Sequence, residues 1–151
     1  MRLRSLGHVL LCVSDVERAK AFYTGVLGFE IIEEDPDHGG VFMALGEGTH
    51  AIDLVGIGGE APPQPRSFED VRPKLGLGHI AFLVEDQAAF SDAVDALRAK
   101  GVAILGIGDH ASQESVYFCD PDANVLEIYW ERADAREMFA RGREDKDTLI
   151  G

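Results

Sequence analysis

The sequence predicts an α+β fold of two strand–helix–three-strand (βαβββ) modules, with a curved mixed sheet around a site on its front. An internal repeat comes first: Gly7-His8-Val9-Leu10-Leu11-Cys12-Val13 matches Gly78-His79-Ile80-Ala81-Phe82-Leu83-Val84, offset by 71 residues. Each copy has an acidic residue seven positions after its His, Asp15 or Asp86, and a helical pattern beyond it. Strand alternation then separates a polar-bearing face from an apolar one.

Elements follow in order. The first strand candidate is the run Gly7–Val13, with His8 inside it. A capping box of Ser14 and Glu17 opens a helix whose stripe is Val16, Ala19, Phe22 and Val26, with Gly28 past its end. Short strands are expected at Phe29–Glu33, Val41–Leu45 and Ala51–Val55. The stretch 57–77, with Pro62, Pro63, Pro65 and Pro73, reads as a long linker. The second module repeats the plan. Its helix starts near Asp86, carries Phe90, Ala93, Val94 and Leu97, and stops at Gly101. Strands follow at Val102–Leu105, Ser115–Cys119 and Val125–Trp130. One domain, 1–131, would thus hold module one (5–56) and module two (78–131). A charged extension, 132–151, would form a short helix over Asp134–Arg141 and then fray.

The 151 residues suffice for one domain with a real core. A net charge of -13 disfavours nucleic acid and anionic membranes as partners. No apolar run reaches the ~18 residues of a membrane span, and the N-terminus does not read as a signal peptide, so a cytoplasmic protein is expected. Cys12 and Cys119 sit in apolar runs and read as buried free thiols. The acidic cluster Glu33–Asp37 and His38 read as solvated surface. A homodimer or larger homo-oligomer fits modules that expose a sheet edge.

Three residues break the apolar strand pattern: His8, His79 and Glu127. Burying imidazole and carboxylate without partners costs several kcal/mol, about 2–7 for a neutral polar group and more for a charge. A divalent metal would satisfy all three. Two His and one carboxylate are the facial triad of non-haem Fe(II) oxygenases. His8, Leu10 and Cys12 share a face, as do His79, Ala81 and Leu83, and Val125, Glu127 and Tyr129. The opposite faces, Val9/Leu11/Val13 and Ile80/Phe82/Val84, suit packing against the helices.

The repeat, together with the segment Gly108-Asp109-His110 through Val116-Tyr117, Asp120-Pro121 and Glu127-Ile128-Tyr129-Trp130-Glu131, resembles the vicinal oxygen chelate superfamily. That group includes glyoxalases, bleomycin-resistance proteins and type I extradiol dioxygenases. The likeness covers about residues 5–131 and is strongest to compact, catechol 2,3-dioxygenase-like enzymes. It implies paired modules curled around a metal, with His8, His79 and Glu127 as ligands of Fe(II), Mn(II) being the other candidate. It also implies His50 as acid/base and His110 and Tyr117 as donors to the substrate oxygen. The substrates implied are a small aromatic diol and O2, with Phe42, Leu54 and Trp130 as candidate ring contacts. The Pro-rich linker and the C-terminal tail are candidate lids. Ala123 departs from the family's Gly; if that position is left-handed, Asn124 could take the turn instead. Asp53 is the counter-signal. In glyoxalase-like members a carboxylate at this position is a fourth ligand, but strand parity puts Asp53 and His50 on opposite faces unless His50 lies in the preceding loop. A metal-dependent glyoxalase or isomerase, and a bleomycin-resistance-type binding protein, are the alternatives.

Overall fold

The computed structural model describes residues 1–35, 37–71, 75–142 and 148–149. The chain forms two compact units, Met1–Pro62 and Pro63–Gly151. Each carries its own mixed sheet, so the α+β class and the doubled module are as the sequence predicts.

In the first unit, β1 (Val9–Val13) leads into α1 (Val16–Gly25), then β2 (Glu30–Asp35), β3 (Gly40–Ala44) and β4 (Ile52–Gly56). The sheet order is β1-β4-β3-β2. β1 runs parallel to β4, with Val9 opposite Ile52 and Leu10 opposite Asp53. β3 pairs antiparallel with both β4 and β2. Leu11, Val13, Val41, Met43, Ile52 and Leu54 are buried, and α1 buries Ala19 and Tyr23. Leu10 and Cys12, on the face of His8, are exposed. Cys12 is therefore free but not buried, whereas Cys119 is free and buried as expected.

α1 starts one residue later than the capping box implies. Its cap is Asp15, whose Oδ1 accepts from the Arg18 amide at 3.0 Å. Ser14 instead accepts from the Arg18 guanidinium. Asp86 caps the second helix in the same way, through the Ala89 amide. Both helices run into a left-handed glycine, Gly28 (φ 76°) and Gly101 (φ 71°), where a side chain would be strained.

In the second unit a 3₁₀ turn (Phe68–Asp70) precedes β5 (Ile80–Leu83), α2 (Gln87–Ala99), β6 (Ile104–Asp109), β7 (Gln113–Cys119) and β8 (Val125–Glu131). α3 (Ala135–Arg141) and β9 (Thr148–Leu149) close the chain. The order is β5-β8-β7-β6-β9. β5 is parallel to β8, with Ile80 opposite Leu126 and Ala81 opposite Glu127. α2 buries Phe90, Val94 and Leu97. The helix expected at Asp134–Arg141 is present. The fraying expected beyond it is corrected in part: Thr148 and Leu149 pair with Asp109 and Gly108 of β6. Residues 143–147 and 150–151 lie outside the described residues, as does Pro73 of the linker.

One further expectation is corrected. Ala123 itself is left-handed, at φ 60°, so Asn124 does not take the turn. Asp120 fixes that turn by accepting from the Asp122 and Asn124 amides and from the Asn124 side chain. Two residues of the Pro-rich segment make contacts within the second unit. Gln64 donates to the Asp120 and Pro121 carbonyls, and Val71 packs against Leu105, Tyr117, Cys119 and Val125. Among the described residues no helix is long and apolar enough to cross a membrane.

Candidate metal centre

The first unit gathers His8, His50 and Asp53. His8 stands just before β1 and is half-exposed, while Asp53 on β4 is buried. Register brings them together: β1 pairs with β4 so that the end carrying His8 meets the end carrying Asp53. His8 Nε2 lies 3.5 Å from Asp53 Oδ2, and His50 Nδ1 lies 2.7 Å from Asp53 Oδ1. The two imidazoles stack at 4.4 Å between ring centroids. One donor atom from each of the three residues falls within 4.8 Å of the others, a spacing that could hold a metal.

His50 can join Asp53 because it precedes β4, which begins at Ile52. Strand parity does not apply to it, and its side chain turns back onto the Asp53 face. A carboxylate only accepts, so His50 donates through Nδ1–H. In the neutral imidazole, Nε2 then presents a lone pair.

The second unit gathers His79, Glu127, Tyr117 and His110. His79 Nε2 and Glu127 Oε2 are 2.9 Å apart, the imidazole half-exposed and the carboxylate buried. Glu127 Oε1 accepts from the buried Ser115 hydroxyl and from Gln113 Nε2 at 3.2 Å. Gln113, Ser115 and Tyr117 share one face of β7, so two of them secure the carboxylate while the third stands opposite it in register. Tyr117 OH lies 2.9 Å from His110 Nε2, and its ring meets His79 edge-on at 6.1 Å. Phe68 packs edge-on against Tyr117 at 4.7 Å.

The two units use one plan. Leu10 faces Asp53 as Ala81 faces Glu127, and Phe42 faces Asp53 as Tyr117 faces Glu127. Asp53 is the register equivalent of Glu127. Each unit therefore sets one buried carboxylate against a half-exposed imidazole.

This donor chemistry fits a divalent metal. Near-fully buried carboxylates, 3% exposed in both cases, pair with imidazole nitrogens that would surrender a proton to an ion. Hydrogen bonds to the oxygen facing away from the imidazole hold Glu127 in place, as ligating carboxylates are usually held.

Two of the three candidate ring contacts are corrected. Leu54 is fully buried on the opposite face from Asp53. Trp130 has the opposite parity to Glu127, and its indole donates to Glu114 at 3.3 Å beneath Arg132. Phe42 stays on the site face, edge-on to His50 at 5.9 Å. Sequence reasoning missed Gln113 and Ser115, which strand parity with Tyr117 could have found. It also missed Phe68, for which the segment carries no periodic signal.

The profile of the Glyoxalase/Bleomycin resistance protein/Dioxygenase superfamily matches residues 5–128. The chain belongs to that superfamily. It is 32% identical over 146 residues to a catechol-2,3-dioxygenase of Bacillus subtilis, covering 92% of this chain but 45% of that protein. It thus spans less than half of that relative's length. It is 35% identical over 106 residues to an ethylmalonyl-CoA/methylmalonyl-CoA epimerase of Cereibacter sphaeroides, covering 69% of this chain and 76% of the other. The fold matches a glyoxalase/dioxygenase structure from Nostoc punctiforme with a TM-score of 0.70 at 24% identity, covering 85% and 92% of the two chains. Superfamily members typically bind a divalent metal and act on small molecules, and they include dioxygenases and an epimerase.

Proposed function

We propose that this chain is an Fe(II)-dependent extradiol dioxygenase acting on a catechol-type diol. His8, His79 and Glu127 would hold the metal. The observation that supports this reading over others is the Tyr117–His110 pair beside His79 and Glu127, because an isomerase needs no such paired donors. A bound divalent ion would supply Lewis acidity, acidifying the diol and offering open positions for the diol and O2.

The chain's own residues have distinct tasks. His50, held by Asp53 through Nδ1, takes a proton from a catechol hydroxyl at Nε2 and later returns it. Tyr117, hydrogen-bonded to His110 Nε2, donates to the substrate oxygen, with His110 completing the pair that holds its negative charge in place. Phe68 and Phe42 offer aromatic edges to a flat ring.

The experiment is anaerobic reconstitution with Fe(II), followed by a catechol panel in air. A yellow ring-opened product is expected, lost in His8→Ala and reduced roughly 10²–10⁴-fold in His50→Gln.

A second reading has its own observation. Asp53 lies in the His8 cluster at the register of Glu127, as a fourth ligand of a glyoxalase- or epimerase-type site would. Asp53→Asn separates the two. As a ligand, Asp53 would carry metal affinity with it. As the partner of His50, it would leave affinity in place and lower turnover. Hemithioacetal isomerisation with Ni(II) or Zn(II), without ring cleavage, would favour the second reading.

A further inference from the structure

We infer that Arg132 and Gly108 are positioning residues for His110, and that they fix the donor pair it makes with Tyr117. This rests on the role proposed above for His110. The 109–112 turn that carries His110 is not held by sheet hydrogen bonds alone. Ala111 at its tip is left-handed, φ 61°, a conformation that L side chains with a Cβ disfavour. Such a residue persists where its surroundings over-determine it.

Arg132 supplies that constraint. Its Nη1 donates to the Ala111 carbonyl at 2.8 Å and to Asp109 Oδ1 at 3.2 Å. Its Nη2 donates to Asp109 Oδ2 at 3.1 Å and to Glu114 Oε1 at 3.1 Å. Its backbone amide donates to the Ser112 carbonyl at 2.9 Å. Asp109 in turn accepts from the Ala111 amide. Arg132 thus ties the turn to the end of β8, its guanidinium holding Asp109 and Ala111 and its backbone amide holding Ser112. The fork geometry requires arginine, because a lysine ammonium cannot make the bidentate contact.

Gly108 supplies the seat. A Cβ there would lie 3.0 Å from His110 Nε2 and 3.3 Å from Cε1. The ring folds over the bare α-carbon, with Nε2 turned towards the Tyr117 hydroxyl. Gly108 has no positive φ, so an alanine would act on the ring and not through backbone strain.

The test uses the full chain in two arms. In the metal-free protein, the His110 imidazole is followed by side-chain 1H–15N NMR in the wild type, Gly108→Ala, Arg132→Gln and Tyr117→Phe. Both positioning variants are expected to shift the His110 Nε2 signal in the direction of Tyr117→Phe. Unchanged His110 signals in Gly108→Ala and in Arg132→Gln would overturn the inference, whatever the enzyme's activity. In the metal-loaded protein, Arg132→Gln should lower kcat about 10-fold with KM little changed, but change it less than about twofold in a His110→Ala background. An equal loss in both backgrounds would show that Arg132 acts through general stability and would also overturn it. Arg132→Lys should fail to restore kcat. If no catechol is cleaved, the proposed function fails while the NMR arm still decides the positioning.

Discussion

Ser115→Ala removes one hydroxyl and asks whether Glu127 is a ligand. Ser115 is fully buried and donates to Glu127 Oε1, the oxygen turned away from His79. Without it, that oxygen keeps the 3.2 Å contact from Gln113 alone. A buried hydrogen bond to a charged group contributes about 1.5–3 kcal/mol. At about 1.4 kcal/mol per decade, that corresponds to roughly 10–150-fold in an equilibrium constant. Removing partners that support a ligand typically costs 10–100-fold in metal affinity, and this figure sets the expected change in binding. The assay is anaerobic Fe(II) competition against a chromophoric chelator, with thermal unfolding of the metal-free protein alongside. A rise in Kd of roughly 10–100-fold is expected, together with a lower Tm of the metal-free form, which makes the same hydrogen bond. Affinity within twofold of wild type, with Tm lowered, would refute the reasoning and make the Ser115–Glu127 contact purely structural.

Other outcomes follow from the same geometry. Ala123→Gly relieves a left-handed alanine, offset in part by the entropy glycine adds to the unfolded chain, so Tm should rise about 1–3 °C; a fall would contradict it. Asp15→Ala should lower stability by about 1 kcal/mol through loss of the α1 cap, while Ser14→Ala should cost less than about 0.5, both read from urea midpoints. A thiol reagent on the native protein should label Cys12 and spare Cys119, whose thiol is pushed up to about 11 by burial and by the neighbouring Asp120 charge. Labelling of Cys119 at the rate of Cys12 would refute that burial.

Much of the site was legible because strand parity is a hard geometric rule. His8, Leu10 and Cys12 were placed on one face by alternation alone, and the exposed positions of β1 match it. The same rule, applied further, would have turned Leu54 and Trp130 away, since each sits an odd number of residues from a site carboxylate. It would also have exposed Cys12, whose apolar neighbours suggested burial. His50 was ambiguous for the opposite reason. Parity holds only within a strand, and where β4 begins depends on pairing with β1 and β3 rather than on local composition. The α1 cap differed by one residue because Ser14 and Asp15 are both good caps, and it is Asp15 that takes the extended cap backbone and accepts from the Arg18 amide. Arg132 carried no signal in sequence. Its meaning comes from the Ala111 turn, more than twenty residues earlier, and only the β7–β8 pairing brings the two together.

The proposed dioxygenase requires His8, His79 and Glu127 to hold one metal, and Fe(II) binding across a set of variants tests that proposal most directly. Equilibrium dialysis should find stoichiometric Fe(II) in the wild type and in His110→Ala. Binding should be lost in His8→Ala, His79→Ala and Glu127→Gln. Full-affinity binding in His79→Ala and Glu127→Gln, with loss in His8→Ala, His50→Ala and Asp53→Asn, would contradict the claim and place the metal on the first module's cluster alone.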